Sequence, residues 1–419
     1  MKAMPAEKAA AMLELHRLGY LSGAPRLSTR PDSAATGSRS RTLGIMGGFR
    51  AAGWEVNPYI AGDGLATRWM VGQKGEEALL SSWLARLAAD MLRIVFAVFG
   101  CLAARRKIGR VDWVFEYFGA FQAIGWPFQR RGVPWILGTD ALLHVESTHD
   151  RSTVALAGLL KLAERWAYRR CDVLVCVSRP LADMVIREMG IEREKVVVVP
   201  NAVNADMFDP GRASPRRLFT SDTIGFVGHL YPWQRLDLLI EAVAELSAEG
   251  LTYELVIIGD GPMRSAWQSL AHSLGLADHI RFTGPVAWEE VPSYIIGFDL
   301  AYMGQVPLSV GEMYLSPLKL YEYAAMARPV VASAFDDAGQ LIVEGSTGYL
   351  FEAGSKQDLK RALRLAHSGR NQWAAMGARL RSAVLDQHSW TARIRQMIGE
   401  IEPIIQEKYG APYPGRRQA

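Results

Sequence analysis

With 419 residues, 49% of them apolar and 21% charged, the chain is too long for one ordinary core and reads as two folded α/β domains of about 200 residues each. Its 47 basic and 43 acidic residues leave a net charge of +4, too small an excess to predict a nucleic-acid partner. The three cysteines, Cys101, Cys171 and Cys176, lack CxxC spacing, which argues against a disulfide framework or a metal site and for a reducing, cytoplasmic compartment.

The chain begins MKAMPAEKAAAMLELHRLG, with charges where a signal peptide carries its apolar core, so secretion is not expected. Leu18–Ser22 is a short candidate strand, followed by a Gly-, Pro- and Ser-rich loop and a helix over about Thr42 to Ala52. Trp54–Ile60 comes next, and Val111–Phe115, Val133–Leu137 and Val173–Val177 are further strands. They lack polar alternation, as parallel strands covered on both faces do.

Between them Ile94–Ala104 reads IVFAVFGCLAA and runs into Arg105, Arg106 and Lys107. That apolar run is too short to cross a bilayer, and no membrane-spanning helix is expected. Two readings stay open for 94–107: a buried helix with a solvated basic end, or a helix lying peripherally on the inner membrane face.

Val196–Pro210 closes the first domain (1–210), and a polar stretch, GRASPRRLFTSD, links it to the second (211–386). There the pattern restarts with Thr223–Val227, the helix Leu236–Ala248, and strands at Leu255–Gly259, Ile280–Phe282, Leu300–Tyr302 and Val330–Ala332. Residues 387–419 are expected to form a helix returning to the first domain and a flexible tail. The fold class is α/β, two doubly wound Rossmann-like domains facing across a cleft, where such sheets bind ligands.

The segment richest in chemistry is Ser316–Ser333, SPLKLYEYAAMARPVVAS. Pro317 suits a helix start, and Arg328-Pro329 stops the helix before a strand. Free N–H groups at such a start favour a diphosphate, and Glu322 in the second turn could accept from two ribose hydroxyls.

This segment resembles the donor signature of glycosyltransferase family 4 (the GT-B retaining glycosyltransferases), in the branch spelled SPxKLxEY. The resemblance implies a nucleotide-sugar donor, Glu322 on its ribose, and Ser316, Pro317, Leu318 and Lys319 around its phosphates and sugar. The family often has a second Glu eight positions earlier. Tyr314 stands there, with Glu312 nearby as a candidate catalytic acid and the backbone around Tyr314 as a donor contact.

Phe226–Leu246, FVGHLYPWQRLDLLIEAVAEL, resembles the family's strand–glycine–helix segment through Gly228, Pro232, Trp233 and Asp237. His229 replaces the family's Arg, and Gln234 replaces its phosphate-binding Lys. Arg235 and Lys319 are therefore the candidate cations for a leaving diphosphate. Gly284 and Val286 fall where the family cradles the base.

In the first domain, Thr36-Gly37-Ser38 resembles the family's Gly-Gly loop, facing donor through Gly37 and acceptor through Ser38. Glu116, Asp140 and His144 are candidate acceptor-side groups, with Asp140 also a candidate base. The implied function is transfer of a sugar, with retention, to a glycan, lipid-linked or small-molecule acceptor. No bound metal or cofactor is implied. His229, Gln234, Tyr314 and Thr139 motivate an alternative, a catalytically degenerate protein of this fold that binds nucleotide sugars or scaffolds.

Overall fold

The computed structural model describes residues 16–31, 33, 37–64, 82–150, 152–308 and 310–410. The first fifteen residues, Thr36 and the tail after Gly410 lie outside the described residues, with the expectations made for them.

Two parallel six-stranded sheets form the molecule. The first has the order β2-β1-β3-β4-β5-β6, from β1 (Arg17–Ser22), β2 (Glu55–Ile60), β3 (Trp113–Tyr117), β4 (Trp135–Thr139), β5 (Val173–Cys176) and β6 (Val196–Val198). The second has the order β12-β11-β10-β7-β8-β9, from β7 (Thr223–Val227), β8 (Glu254–Ile258), β9 (Ile280–Gly284), β10 (Leu300–Met303), β11 (Val330–Ser333) and β12 (Gly348–Phe351). The apolar strands are buried on both faces, which is why their sequences lack alternation. Strand β12, Gly348–Phe351, is an edge strand paired with β11.

Helices α1 (Gly37–Ala51), α2 (Trp83–Ile108), α3 (Ala157–Arg170) and α4 (Arg179–Met189) cover the first sheet, and α5 (Leu236–Ala248), α6 (Leu318–Ala325) and α7 (Trp373–His388) belong to the second domain. The expected helix over Thr42–Ala52 begins five residues earlier, at Gly37. The Ile94–Ala104 segment is part of α2, 26 residues long, with only Asp90, Gly100, Ala104 and Ile108 buried. Its best 18-residue window has mean hydropathy 1.9, so by length and composition it is apolar enough to cross a membrane. Its exposure corrects the reading of a buried helix.

The last helix, α8 (Trp390–Tyr409), packs on α1 of the first domain. The contact relies on two glycines. A Cβ on Gly44 would sit 2.0 Å from the Trp390 indole nitrogen, and one on Gly48 would sit 2.5 Å from Ile394. The two domains also share an apolar seam, because Leu308 and Tyr314 of the second domain bury into the core beneath α3 and α4.

Gly44→Ala should cost about 1–3 kcal/mol through overpacking against Trp390. Gly47→Ala, on the same helix with open space around it, should instead stabilise by about 0.5–1 kcal/mol. Denaturant melts of the two variants separate these signs.

Candidate functional site

The chain leaves β10 through a long loop and enters α6 at Leu318 after Pro317, whose backbone is extended. The loop is fastened to the first domain immediately before the helix. The Asn201 backbone N–H donates to Ser316 Oγ at 2.9 Å, and Asn201 Nδ2 donates to the Ser316 carbonyl at 2.6 Å. Ser316 Oγ in turn donates to Asp337, and Ser178 Oγ donates to the Tyr314 carbonyl at 2.6 Å. The first turn of α6 therefore opens at the domain boundary. A Cβ on Gly37, at the start of α1, would lie 3.4 Å from the Leu318 side chain.

Gly228 lies at the end of β7 with φ +147°, and Gly259 at the end of β8 with φ +126°. A Cβ on Gly259 would fall 2.0 Å from the Gly228 carbonyl oxygen, so the two strand ends approach as only glycine permits. Lys319 Nζ reaches into this corner. It would lie 3.1 Å from a Cβ on Gly228, stands 4.1 Å from the Phe226 ring centre and donates to Gln234 Oε1 at 2.8 Å.

Burial pushes the Lys319 ammonium down to about 7, with the nearby Glu322 acting against that shift. Burial likewise pushes the Glu322 carboxyl up to about 7, opposed by Lys319. Glu322 is walled in by its surroundings yet keeps partial solvent access. Among the described residues no side chain hydrogen-bonds its carboxylate. The helix start, an enclosed ammonium and an unpartnered acid are thus gathered at one place. Gln234, the residue at the missing lysine's position, is what holds that ammonium.

Arg235 adopts a left-handed backbone, φ 48°, and its guanidinium pairs with Asp237 at 3.0 Å. His229 is exposed and lies 5.7 Å from the Tyr231 ring, which stacks on Trp233. Gly284 ends β9 beside Arg264, and Val286 packs on the second-domain core.

Across the boundary, Gly37 and Ser38 are exposed at the start of α1. Asp140, partly exposed, accepts a hydrogen bond from the Tyr117 hydroxyl and pairs with the buried Arg41. Arg41 also lies 5.4 Å from the Tyr117 ring centre, so two mutually packed side chains fix that carboxylate at the cleft end of β4. Arg39 crosses to the second domain, 5.1 Å over the Trp288 ring.

Of four further expected site residues, Glu116 and His144 are closed off in the fold. Glu116 is fully buried and accepts from the backbone N–H groups of Ile124 and Gly125 and from the Trp135 indole, so no acceptor can reach it. Burial raises its carboxyl to about 7. His144 is buried with Nδ1 2.7 Å from Glu164, a bond that orders the start of the segment before α3. Tyr314 buries its ring in the seam, leaving only its backbone near the site. Glu312 faces Arg187 on α4 in an exposed ion pair at 3.3 Å.

Two family models divide the chain between them. The model described as "Glycosyltransferase Family 4" matches residues 45–207, and that described as "Glycosyl transferases group 1" matches residues 221–368. The structure superposes on sucrose-phosphate synthase from Thermosynechococcus elongatus with a TM-score of 0.68 at 16% identity, covering 94% of this chain and 100% of that one. The chain has the GT-B fold, and each of its halves matches a glycosyltransferase family model.

A D-inositol 3-phosphate glycosyltransferase of Stackebrandtia nassauensis is 26% identical over 315 residues, 71% of this chain and 69% of that protein. A 2-deoxystreptamine glucosyltransferase of Streptomyces kanamyceticus is 29% identical over 161 residues, 36% of this chain, which spans only 42% of that relative. The Anabaena protein HepE, in complex with UDP, superposes with a TM-score of 0.61 at 16% identity over 92% of this chain and 99% of that one.

Arg41 escaped the sequence reading of this glycosyltransferase because it sits in a run, SRSR, that looks like a solvated helix start. Only the fold turns it inward. The Lys319–Glu322 pair predicts a pH signature. The raised Glu322 value means the folded state holds a proton that the unfolded chain has lost, so stability falls as pH rises from about 4.5 to 7. The depressed Lys319 value means the folded state lacks a proton that the unfolded chain keeps, so stability rises from about 7 towards 10.5. Glu322→Gln should flatten the acid limb in melts across that pH range.

Proposed function

We propose that this glycosyltransferase moves a sugar, with retention of anomeric configuration, from a nucleoside diphosphate sugar to an acceptor hydroxyl. The observation carrying the reading is the α6 start: an unpartnered Glu322 carboxylate one turn from the enclosed Lys319 ammonium, at the domain boundary. In it, Glu322 accepts from two ribose hydroxyls, and the diphosphate lies over the first N–H groups of α6 near Lys319. The sugar then sits toward Gly37 and Ser38, with Gly284 and Val286 beside the base.

As the bond from the anomeric carbon to the diphosphate oxygen breaks, both electrons leave with the nucleoside diphosphate. Lys319, the α6 dipole and Arg235, once it releases Asp237, meet that charge. The acceptor oxygen bonds to the anomeric carbon and gives up its proton, to Asp140 or to the departing phosphate oxygen. Arg41 and Tyr117 hold Asp140 ready for that role.

Support for a nucleotide donor also comes from relatives. One is a GDP-mannose-dependent alpha-(1-6)-phosphatidylinositol monomannoside mannosyltransferase of Mycolicibacterium smegmatis, 27% identical over 305 residues. These relatives favour a transferase over a degenerate scaffold.

A panel of nucleoside diphosphates and their sugars tests the reading by thermal shift and by release of the diphosphate. At a hundred times its Kd the right nucleotide should stabilise the chain by about 2.7 kcal/mol. Glu322→Ala should abolish that shift and reduce turnover about 100-fold or more. Full activity in Glu322→Ala, or no nucleotide that stabilises the native chain, refutes the assignment.

A further inference from the structure

The first domain carries an apolar face that the transfer chemistry does not use. On α2, Leu84, Met91, Leu92, Val95, Val98, Phe99 and Leu102 are all exposed, Phe99 by 64% and Leu84 by 70%. Their spacing places them on one side of the helix, opposite the buried Asp90, Gly100, Ala104 and Ile108. On α3, Leu159, Leu162 and Trp166 are exposed as well.

The two helices form one surface. Both α2 and α3 follow crossovers of the same hand in the order β2-β1-β3-β4-β5, so they lie on the same side of the sheet. Asp90 ties them together by accepting from the backbone N–H groups of Ala155 and Leu156 just before α3, each at 2.9 Å. Trp126, between them, meets Trp166 edge-on at 5.4 Å.

Among the described residues, the exposed charge on α2, α3 and the segments joining them to the sheet has one sign. Each helix has a single acid, Asp90 on α2 and Glu164 on α3, and both are fully buried. The exposed charges are Arg106, Lys107, Arg110, Arg130, Arg131, Lys161, Arg165, Arg169 and Arg170. Among the described residues, exposed acids appear on the next helix, where Asp183 pairs with Arg193. Apolar side chains framed by cations, with no exposed acid among the described residues of the two helices, are complementary to an anionic lipid surface and ill-suited to self-association, which would set cation against cation.

The helix does not fit a membrane crossing. It joins β2 to β3, which are separated in the sheet by β1 alone, so both of its ends belong to one packed domain. A crossing would also place Asp90 and its partner Arg93, 2.6 Å apart, in hydrocarbon and break the Asp90 bonds to α3.

We propose that the outer face of α2 and α3 docks the first domain on an anionic bilayer, lying in the plane of the headgroups with Val98 and Phe99 inserted and Arg105–Lys107 and Arg169–Arg170 on the phosphates. The strands and these crossover helices run in opposite directions, so the Trp83 and Ala157 ends lie at the cleft edge of the domain. The docked enzyme would then hold its cleft beside the membrane surface. This inference is independent of the donor assignment, since it concerns a surface that does not include Glu322.

Co-sedimentation of the full chain with vesicles of phosphatidylcholine alone, or of phosphatidylcholine with phosphatidylglycerol, tests it without any nucleotide. Binding is expected to the anionic vesicles only, and to weaken with salt. The triple variant Arg105→Ala, Arg106→Ala, Lys107→Ala should bind about 100-fold more weakly, since each basic group near the surface contributes about fivefold. Val98→Glu with Phe99→Glu should abolish binding at an unchanged melting temperature. Should that variant not fold, the alanine variant and the salt series still decide. No binding to anionic vesicles, or undiminished binding by the alanine variant, overturns the proposal. So does a dimer in solution that the glutamates disperse while vesicles recruit nothing.

Discussion

The site depends on how the start of α6 is held. Ser316 accepts from the Asn201 backbone of one domain and donates to Asp337 of the other, so the helix entrance is positioned by both domains. The neighbouring Tyr314 carbonyl is bonded by Ser178, and the Tyr314 ring is embedded in the first-domain core. A helix start that faces a gap is useful to an anion only when its aim is constrained. Here the constraint comes from buried hydrogen bonds across the domain boundary, which are costly to leave unmade.

That geometry explains an otherwise unfavourable pair. Lys319 and Glu322 are enclosed deeply enough that burial works against the charge of each, and each partly offsets the cost for the other. Lys319 has Gln234 and the Phe226 ring as neighbours, whereas Glu322 has no hydrogen-bond donor among the described residues. Such perturbed groups concentrate at functional sites because a fold rarely retains them for stability. Across the domain boundary the logic is reversed. Asp140 is fixed by a buried guanidinium and a phenol, which hold its carboxylate in one orientation.

Much of the fold was readable from the chain because parallel strands announce themselves as unbroken apolar runs. Among the described residues twelve strands alternate with helices in two sheets, and the strand at Val173 could be read to within a residue. The SPLKLYEY segment was readable because a proline start, a lysine and a glutamate at fixed spacing imply a helix entrance with charge behind it. Glu116 and His144 misled for one reason: polar residues near or shortly after the ends of strands look accessible in sequence, but Trp135 and Glu164 close over them in the fold. Arg41 was missed by the converse error. The extent of α2 was hidden because Arg86, Asp90 and Arg93 interrupt the apolar count, although Asp90 and Arg93 pair with each other and Asp90 also secures the start of α3.

The central claim is that the second turn of α6 grips the nucleotide's ribose, and a crystal structure with the stabilising nucleoside diphosphate tests it most directly. The account predicts both ribose hydroxyls within about 3.2 Å of the Glu322 carboxylate and the diphosphate over the N–H groups at Leu318 and Lys319. A nucleotide bound elsewhere, or a ribose directed away from Glu322, would contradict it.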